Sequence, residues 1–164
     1  MHKTTCDLYD EFGDKARVAS PIFQDFGGRK SFTGVVTTIK CFEDNSRLKE
    51  LVATPGRGKV LVVDGGGSKR CALMGDMIAK EAIANEWEGV VIYGCIRDKS
   101  ILATLDIGVK AIGAIPRKSM KRQEGQVDIP IALGDINCRS GDVLFADEDG
   151  ILILDEKVLA HKTS

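Results

Sequence analysis

The sequence predicts a mixed α/β layered fold in one domain, and three observations carry that prediction. Short apolar, β-branched runs such as "KVLVVDGGG" and "GVVIYGCI" alternate with segments of helical spacing through the middle of the chain. Toward the C-terminus the strands follow one another without intervening helices, which a doubly wound parallel sheet does not do. The chain has 164 residues and 43% hydrophobic content, enough for a single core spanning 1–164. No Pro/Gly/Ser-rich linker divides it, nor does any repeat with a period of roughly 20 to 50 residues.

The elements come in order along the chain. "TTCDLYDEF" opens with cap-type threonines and reads as a short helix, and "SFTGVVTTIKCF" has the β-branched and aromatic content of a strand. "EDNSRLKELVAT" predicts a helix capped near Asn45 or Ser46 and closed by "PGRGK". "KVLVVDGGG" is a continuous apolar run stopped by glycines, as a strand buried on both faces would be. From Lys69 to about Glu86, Leu73, Met77, Ala82 and Ile83 recur at roughly helical spacing, predicting one helix or two joined near Gly75. "GVVIYGCI" is the next strand, "DKSILATLD" a helical turn, "VKAIGAIP" a further strand and "RKSMKRQEGQ" a polar loop. "VDIPIALGD" and "GDVLFADEDGILIL" supply the closing strands, with a hairpin turn at Asp149 and Gly150.

Composition excludes several classes of function. The 23 basic and 24 acidic residues nearly cancel and no long Lys/Arg run occurs, so the electrostatic footprint of a direct nucleic-acid binder is missing. The longest apolar run falls far short of the roughly 18 residues a membrane span requires. "MHKTTCDLYDEF" has no apolar signal core, so a soluble, cytoplasmic protein without membrane attachment is expected. Five scattered cysteines, never spaced C-x-x-C, read as reduced and packed thiols. The two histidines, His2 and His161, lie near the termini, where a His-based metal site or Ser/His/Asp triad lacks rigid support.

Four stretches carry candidate chemistry. "VVDGGGSKR" has the glycines of an anion-cradling loop but matches neither the P-loop nor the dinucleotide pattern, and a sharp turn with close packing explains it as well. Gly75 marks a break in a helical pattern, so Asp76 heads a new helix. The amides of residues 75 to 78 would then favour a carboxylate, with capping by Asp76 itself as the alternative. Arg97 and Asp98 close "GVVIYGCI", and both reach one site only if the strand ends there. An ordinary surface pair, with Asp98 capping the following helix, is the other reading. Asp147, Glu148 and Asp149 are acidic enough to attract a metal, but hairpin turn chemistry accounts for them.

Gly75-Asp76, twenty intervening residues and Arg97-Asp98, in "GD…GCIRD", resemble the signature of the 4-hydroxy-4-methyl-2-oxoglutarate aldolase family, which also contains the regulator of ribonuclease activity A. "PIFQDFGGRKSFTG", "TIKCFEDNS", "GKVLVVDGGGS", "NEWEGVVIYG" and "GDVLFADEDGI" are similar to the regulator branch. The body thus resembles a regulator, and the site an aldolase. Carried over, the resemblance implies that Asp98 binds a divalent cation, Mg²⁺ or Mn²⁺, and that Arg97 binds substrate oxygen. It implies that the backbone of Gly75, Asp76, Met77 and Ile78 holds the carboxylate of a 2-keto acid, and that Asp76 positions a water that protonates the pyruvate enolate. The implied reaction is cleavage of 4-hydroxy-4-methyl-2-oxoglutarate to pyruvate, with oxaloacetate decarboxylation alongside. The implied fold is a swivelling β/β/α sandwich in a ring-shaped homotrimer, alone or as a dimer of trimers, with each site completed by a neighbouring subunit. The alternatives are a protein that docks on and inhibits an RNase E-type endoribonuclease, and a module that senses a keto acid without turning it over.

Overall fold

The computed structural model describes residues 3–163; His2, one of the two histidines, lies outside them. The chain folds as α1 (Thr5–Phe12), β1 (Arg17–Val18), β2 (Gln24–Asp25), β3 (Phe32–Lys40), α2 (Ser46–Val52), β4 (Lys59–Asp64), β5 (Ala72–Met74), α3 (Asp76–Ala84) and β6 (Gly89–Ile96). It continues through α4 (Lys99–Leu102), β7 (Gly108–Ala114), β8 (Gln126–Val127), β9 (Ile131–Leu133), β10 (Ile136–Cys138), β11 (Val143–Asp147), β12 (Gly150–Leu154) and α5 (Glu156–Thr163). The main sheet runs β1-β12-β11-β3-β4-β6-β7-β2, with β5 beside β6 and β8 beside β3, and β9-β10 forms a separate ribbon.

The sheet is mixed, as the succession of elements predicts. β3, β4, β6 and β7 pair in parallel, and the C-terminal hairpin β11-β12 adds on antiparallel to β3. Side-chain alternation then builds two cores from one strand. Leu61 and Val63 of β4 enter a core shared with Leu48, Ala79 and Leu102 of the helices, while Val60 and Val62 enter another with Ile131, Leu133 and Cys138 of the ribbon. Helices, central sheet and second sheet make the three layers of a β/β/α sandwich. Both faces of β4 and β6 are covered, so residues 60–63 of β4 and the run of β6 are buried without alternation.

Three readings are corrected. The stretch before Gly75 is not helical: Ala72–Met74 is a strand beside β6, and only Asp76–Ala84 forms the helix. Cys71, Ala72, Leu73 and Met74 are all buried, and a short, wholly buried apolar run has no periodicity that separates strand from helix. Asn45 stands at the cap position of α2, yet its side chain makes no capping bond. That work falls to Asp44, whose Oδ1 accepts from the Ser46 amide at 2.8 Å and the Ser46 hydroxyl at 2.6 Å. The hairpin loop is Glu148-Asp149, one residue earlier than expected, with Gly150 paired to Asp147 as the first residue of β12.

Cys41, Cys71, Cys95 and Cys138 are buried thiols and Cys6 is exposed; none is disulfide-bonded. No helix among the described residues is long and apolar enough to cross a membrane.

Candidate active site

β6 ends at Ile96, and the two residues after it show how neighbouring side chains come to serve one site. The Arg97 amide bonds Met74 O at 2.9 Å, tying the strand end to β5. Asp98 then adopts a left-handed conformation, φ 59° and ψ 40°, which swings its carboxylate out of the strand's alternation. Asp98 occupies the cap position of α4, but its side chain makes no bond to that helix. It reaches across the sequence: Asp98 Oδ2 accepts from the Asp76 amide at 3.0 Å, at the start of α3. The alternative reading, in which Asp98 caps the following helix, gives way to a bond at the start of a preceding one.

Gly75, at the cap position of α3, makes this approach possible by its lack of a side chain. A Cβ there would sit 2.4 Å from Asp98 Oδ2 and 3.2 Å from Arg97 Cγ. Asp76 is therefore the first helical residue and not the cap. Its carboxylate pairs with Lys80 at 3.2 Å, and this bond holds the Asp76 carboxyl below the usual range despite partial burial. Met77 and Ile78 lie in the first helical turn, where amides have no partner four residues back. Met77 lines the site, with its side chain 80% exposed.

Arg97 is half-buried and makes no ion pair among the described residues; the one bond of its guanidinium, to Pro116 O, is a long 3.5 Å. Its guanidinium is thus available to a ligand. The structure brings Gly75, Asp76, Met77, Ile78, Arg97 and Asp98 to one cavity of about 140 Å³. Sequence reasoning missed the rest of the wall: Asn45, Lys49, Lys118, Ser119 and Lys121. Asn45 Nδ2 donates to Leu73 O, while Asn45 Oδ1 is buried without a partner. The run "RKSMKRQEGQ" held a signal for the lysines, but its content reads equally as a solvated loop.

The other candidate stretches serve structure. Gly66 and Gly67 have φ of 68° and 71°, and Cβ atoms there would meet the rings of Phe42 and Tyr93 at 2.8–2.9 Å, so these glycines let a loop turn and pack. Asp147 binds the Thr5 amide and hydroxyl, fastening α1 to β11. A wider groove of about 960 Å³ lies against α1 and β11, but its Arg29 and Glu88 are already paired to each other.

The chain is thus a β/β/α sandwich that gathers an arginine and two carboxyl side chains at a helix start. The chain belongs to the RraA-like family, described as Aldolase/RraA, whose sequence model matches residues 5–153. A protein of Pseudomonas syringae pv. tomato named "Putative 4-hydroxy-4-methyl-2-oxoglutarate aldolase" is 52% identical over 153 residues, covering 93% of this chain and 94% of that one. A solved structure described as the RNA-processing inhibitor RraA from Thermus thermophilis has a TM-score of 0.91 and 41% identity, covering 95% of this chain and 94% of that one. Another, described as an S-adenosylmethionine:2-dimethylmenaquinone methyltransferase from Geobacillus kaustophilus, has a TM-score of 0.92 and 40% identity, covering 96% and 98%.

Proposed function

We propose that the chain is a divalent-cation-assisted aldolase that cleaves 4-hydroxy-4-methyl-2-oxoglutarate or a close relative to pyruvate, and that it also decarboxylates oxaloacetate. The observation that carries this reading is the bond from the Asp76 amide to Asp98 Oδ2, which sets Asp98 at the start of α3 in one cavity with Asp76 and an uncommitted Arg97.

Asp98, with Asp76 beside it, would hold the cation. No group of three or more His, Cys, Asp or Glu gathers to hold a metal among the described residues. A cation here would keep most of its waters, which suits Mg²⁺ or Mn²⁺. When bound, it supplies Lewis-acid stabilisation of developing negative charge.

The chain's own residues do the remaining work. Amides of the first turn of α3 beyond the one that Asp98 holds would receive the carboxylate of the 2-keto acid, aided by the helix dipole. Arg97 stabilises the enolate oxygen formed when the C–C bond breaks. Asp76 orients a water that takes the proton of the C4 hydroxyl as the bond breaks and returns one to the enolate carbon. No lysine need form a Schiff base. We place the site at a subunit boundary of a homotrimer, in the cytoplasm.

A coupled assay for pyruvate release from 4-hydroxy-4-methyl-2-oxoglutarate, with and without Mg²⁺, tests the reading. Cation-dependent release supports it, and no release at any cation concentration rejects it. The likeness to a protein described as an RNA-processing inhibitor favours a second reading, a regulator that docks on an endoribonuclease. A pulldown with an RNase E-type enzyme separates the two. Binding by the parent chain and by Asp98→Asn alike marks an interface distinct from the site.

A further inference from the structure

Asn45 stands at the cap position of α2, where an asparagine ordinarily gives its side-chain oxygen to amides of the first turn, yet it makes no such bond. Asp44 does that work instead. Its Oδ1 takes the Ser46 amide and hydroxyl, and its Oδ2 takes the Arg122 and Glu124 amides at 2.7 and 3.2 Å. The Asn45 side chain is thereby released to another use.

That side chain turns to β5. Asn45 Nδ2 donates to Leu73 O at 2.9 Å, and the next carbonyl of the strand, Met74 O, accepts from the Arg97 amide at 2.9 Å. β5 thus ties Asn45 and the end of β6 to one support, which runs on through Gly75 into Asp76. The Asn45 backbone is held as well, its carbonyl accepting from the Lys49 amide at 2.9 Å. Asn45, Asp76, Arg97 and Asp98 all line the cavity of about 140 Å³.

Leu73 O can only accept, so the amide nitrogen faces it and the amide oxygen is left over. Asn45 Oδ1 is buried without a partner, the one buried side-chain nitrogen or oxygen so placed among the described residues. An unsatisfied buried acceptor costs about 1–3 kcal/mol, which calls for a donor from within the site. The carboxylates and keto oxygen of a 2-keto acid only accept. The C4 hydroxyl has a single proton, and cleavage sends it away from the substrate. A water has two hydrogens to donate and still accepts, so it satisfies Oδ1 and keeps its lone pairs for the substrate.

We propose that Asn45 is a positioning residue that holds, together with Asp76, the water of the proton relay. The inference rests on the aldolase reading and deepens it. The water donates one hydrogen to Asn45 Oδ1 and the other to the Asp76 carboxylate, which turns its lone pairs toward the C4 hydroxyl. As the C3–C4 bond breaks, the hydroxyl proton passes to the water and a proton of the water passes to the Asp76 carboxylate. The electron pair of the bond stays on the C3 side as the enolate. Reversal of the relay delivers the proton to C3 and gives pyruvate. Asn45 itself gains and loses no proton; it fixes which way the water faces.

Oxaloacetate supplies the contrast, because its loss of CO₂ forms the enolate with no hydroxyl proton to remove. The test follows three rates with Mg²⁺ in the parent chain, Asn45→Ala and Asn45→Leu. They are pyruvate release from 4-hydroxy-4-methyl-2-oxoglutarate, consumption of oxaloacetate, and uptake of deuterium from D₂O into the pyruvate methyl group, read by NMR. Methyl exchange runs the protonation step backwards and so needs the relay. Cleavage and exchange should fall together by about 10² in both variants, while oxaloacetate consumption falls by less than about threefold. Leucine fills the space that alanine vacates, and the three rates come from one preparation, so lost stability does not mimic the split. Three rates that fall alike, or cleavage that stays at the parent level, overturn the proposal and leave the aldolase reading standing. A parent chain that neither cleaves the aldol substrate nor consumes oxaloacetate ends the aldolase reading and this inference with it.

Discussion

Asp98 Oδ2 lies 3.0 Å from the Asp76 amide, and a Cβ on Gly75 would come within 2.4 Å of the same oxygen. The capping bond and the missing side chain are one device. The carboxylate can close on the start of α3 only because nothing projects from the residue before it.

Gly75→Ala should therefore act on the site before it acts on the fold. The extended backbone at Gly75, φ −131°, admits alanine, so the conflict is steric and local. The new methyl group displaces the Asp98 carboxylate and crowds Arg97. We expect pyruvate release to fall by about 10² and stability by about 1–3 kcal/mol, the usual range for overpacking. Activity assays paired with urea unfolding check this. Parent-like turnover would show that Asp98 need not stand where the glycine lets it.

Asp98 itself is best tested with two substitutions. A sequence reading places it as an exposed strand-end carboxylate whose loss costs the fold little, but it is half-buried, left-handed and bonded to α3. Asp98→Asn keeps a residue that tolerates the left-handed region and keeps an acceptor for the Asp76 amide. It should lose Mg²⁺-stimulated turnover while staying within about 0.5 kcal/mol of the parent. Asp98→Ala loses cap and conformational preference together and should unfold about 1–2 kcal/mol more easily. Mg²⁺-dependent activity in the Asn variant would remove Asp98 from the cation site.

Much of this architecture was legible because its signals are local. The apolar runs of β4 and β6, the β-branched β3 and the cap threonines of α1 each name their own element. Gly75 and Arg97-Asp98 stood out as local anomalies, and the fold gathers them. What stayed illegible depends on contacts between distant segments. β5 is a strand because β6 lies beside it, and Asp98 caps α3 because a left-handed turn aims it there. Lys49 and Lys121 meet only after α2 and the loop beyond β7 pack together. Very short strands such as β1 and β2 owe their existence to their partners β12 and β7, and two residues carry too little pattern to announce a strand.

Acid should loosen the loop that presents the lysines. Burial alone would raise the Asp44 carboxyl, yet bonds from Ser46, Arg122 and Glu124 bring it down to about 2 from its ordinary 3.8. A carboxyl depressed in the folded state contributes stability above its unfolded pKa and loses it as pH falls through the folded one. The window is therefore about pH 4 down to about pH 2, and the contribution at stake is about 2 kcal/mol. Asp44→Asn should be destabilised by about that amount at pH 7, with the gap to the parent closing by pH 2. Urea melts at pH 7, 4, 3 and 2 measure this, and a gap that stays constant would show that Asp44 does not titrate in that window.

The final prediction concerns Arg97, whose guanidinium makes only a 3.5 Å contact to Pro116 O and is otherwise uncommitted. Aldol cleavage of a 4-hydroxy-2-keto acid and decarboxylation of oxaloacetate both leave the same pyruvate enolate. A site that stabilises one therefore stabilises the other. Arg97→Lys keeps the charge but loses the planar fork that can hold two oxygens at once. Both rates should fall together by about 10², corresponding to about 3 kcal/mol of transition-state stabilisation. The parallel fall is diagnostic, because the two substrates differ everywhere except at the enolate they generate. Steady-state rates for both reactions with the parent and Arg97→Lys decide the matter. If cleavage collapses while decarboxylation persists, Arg97 reads the hydroxyl-bearing part of the aldol substrate and the enolate oxygen is stabilised by another group.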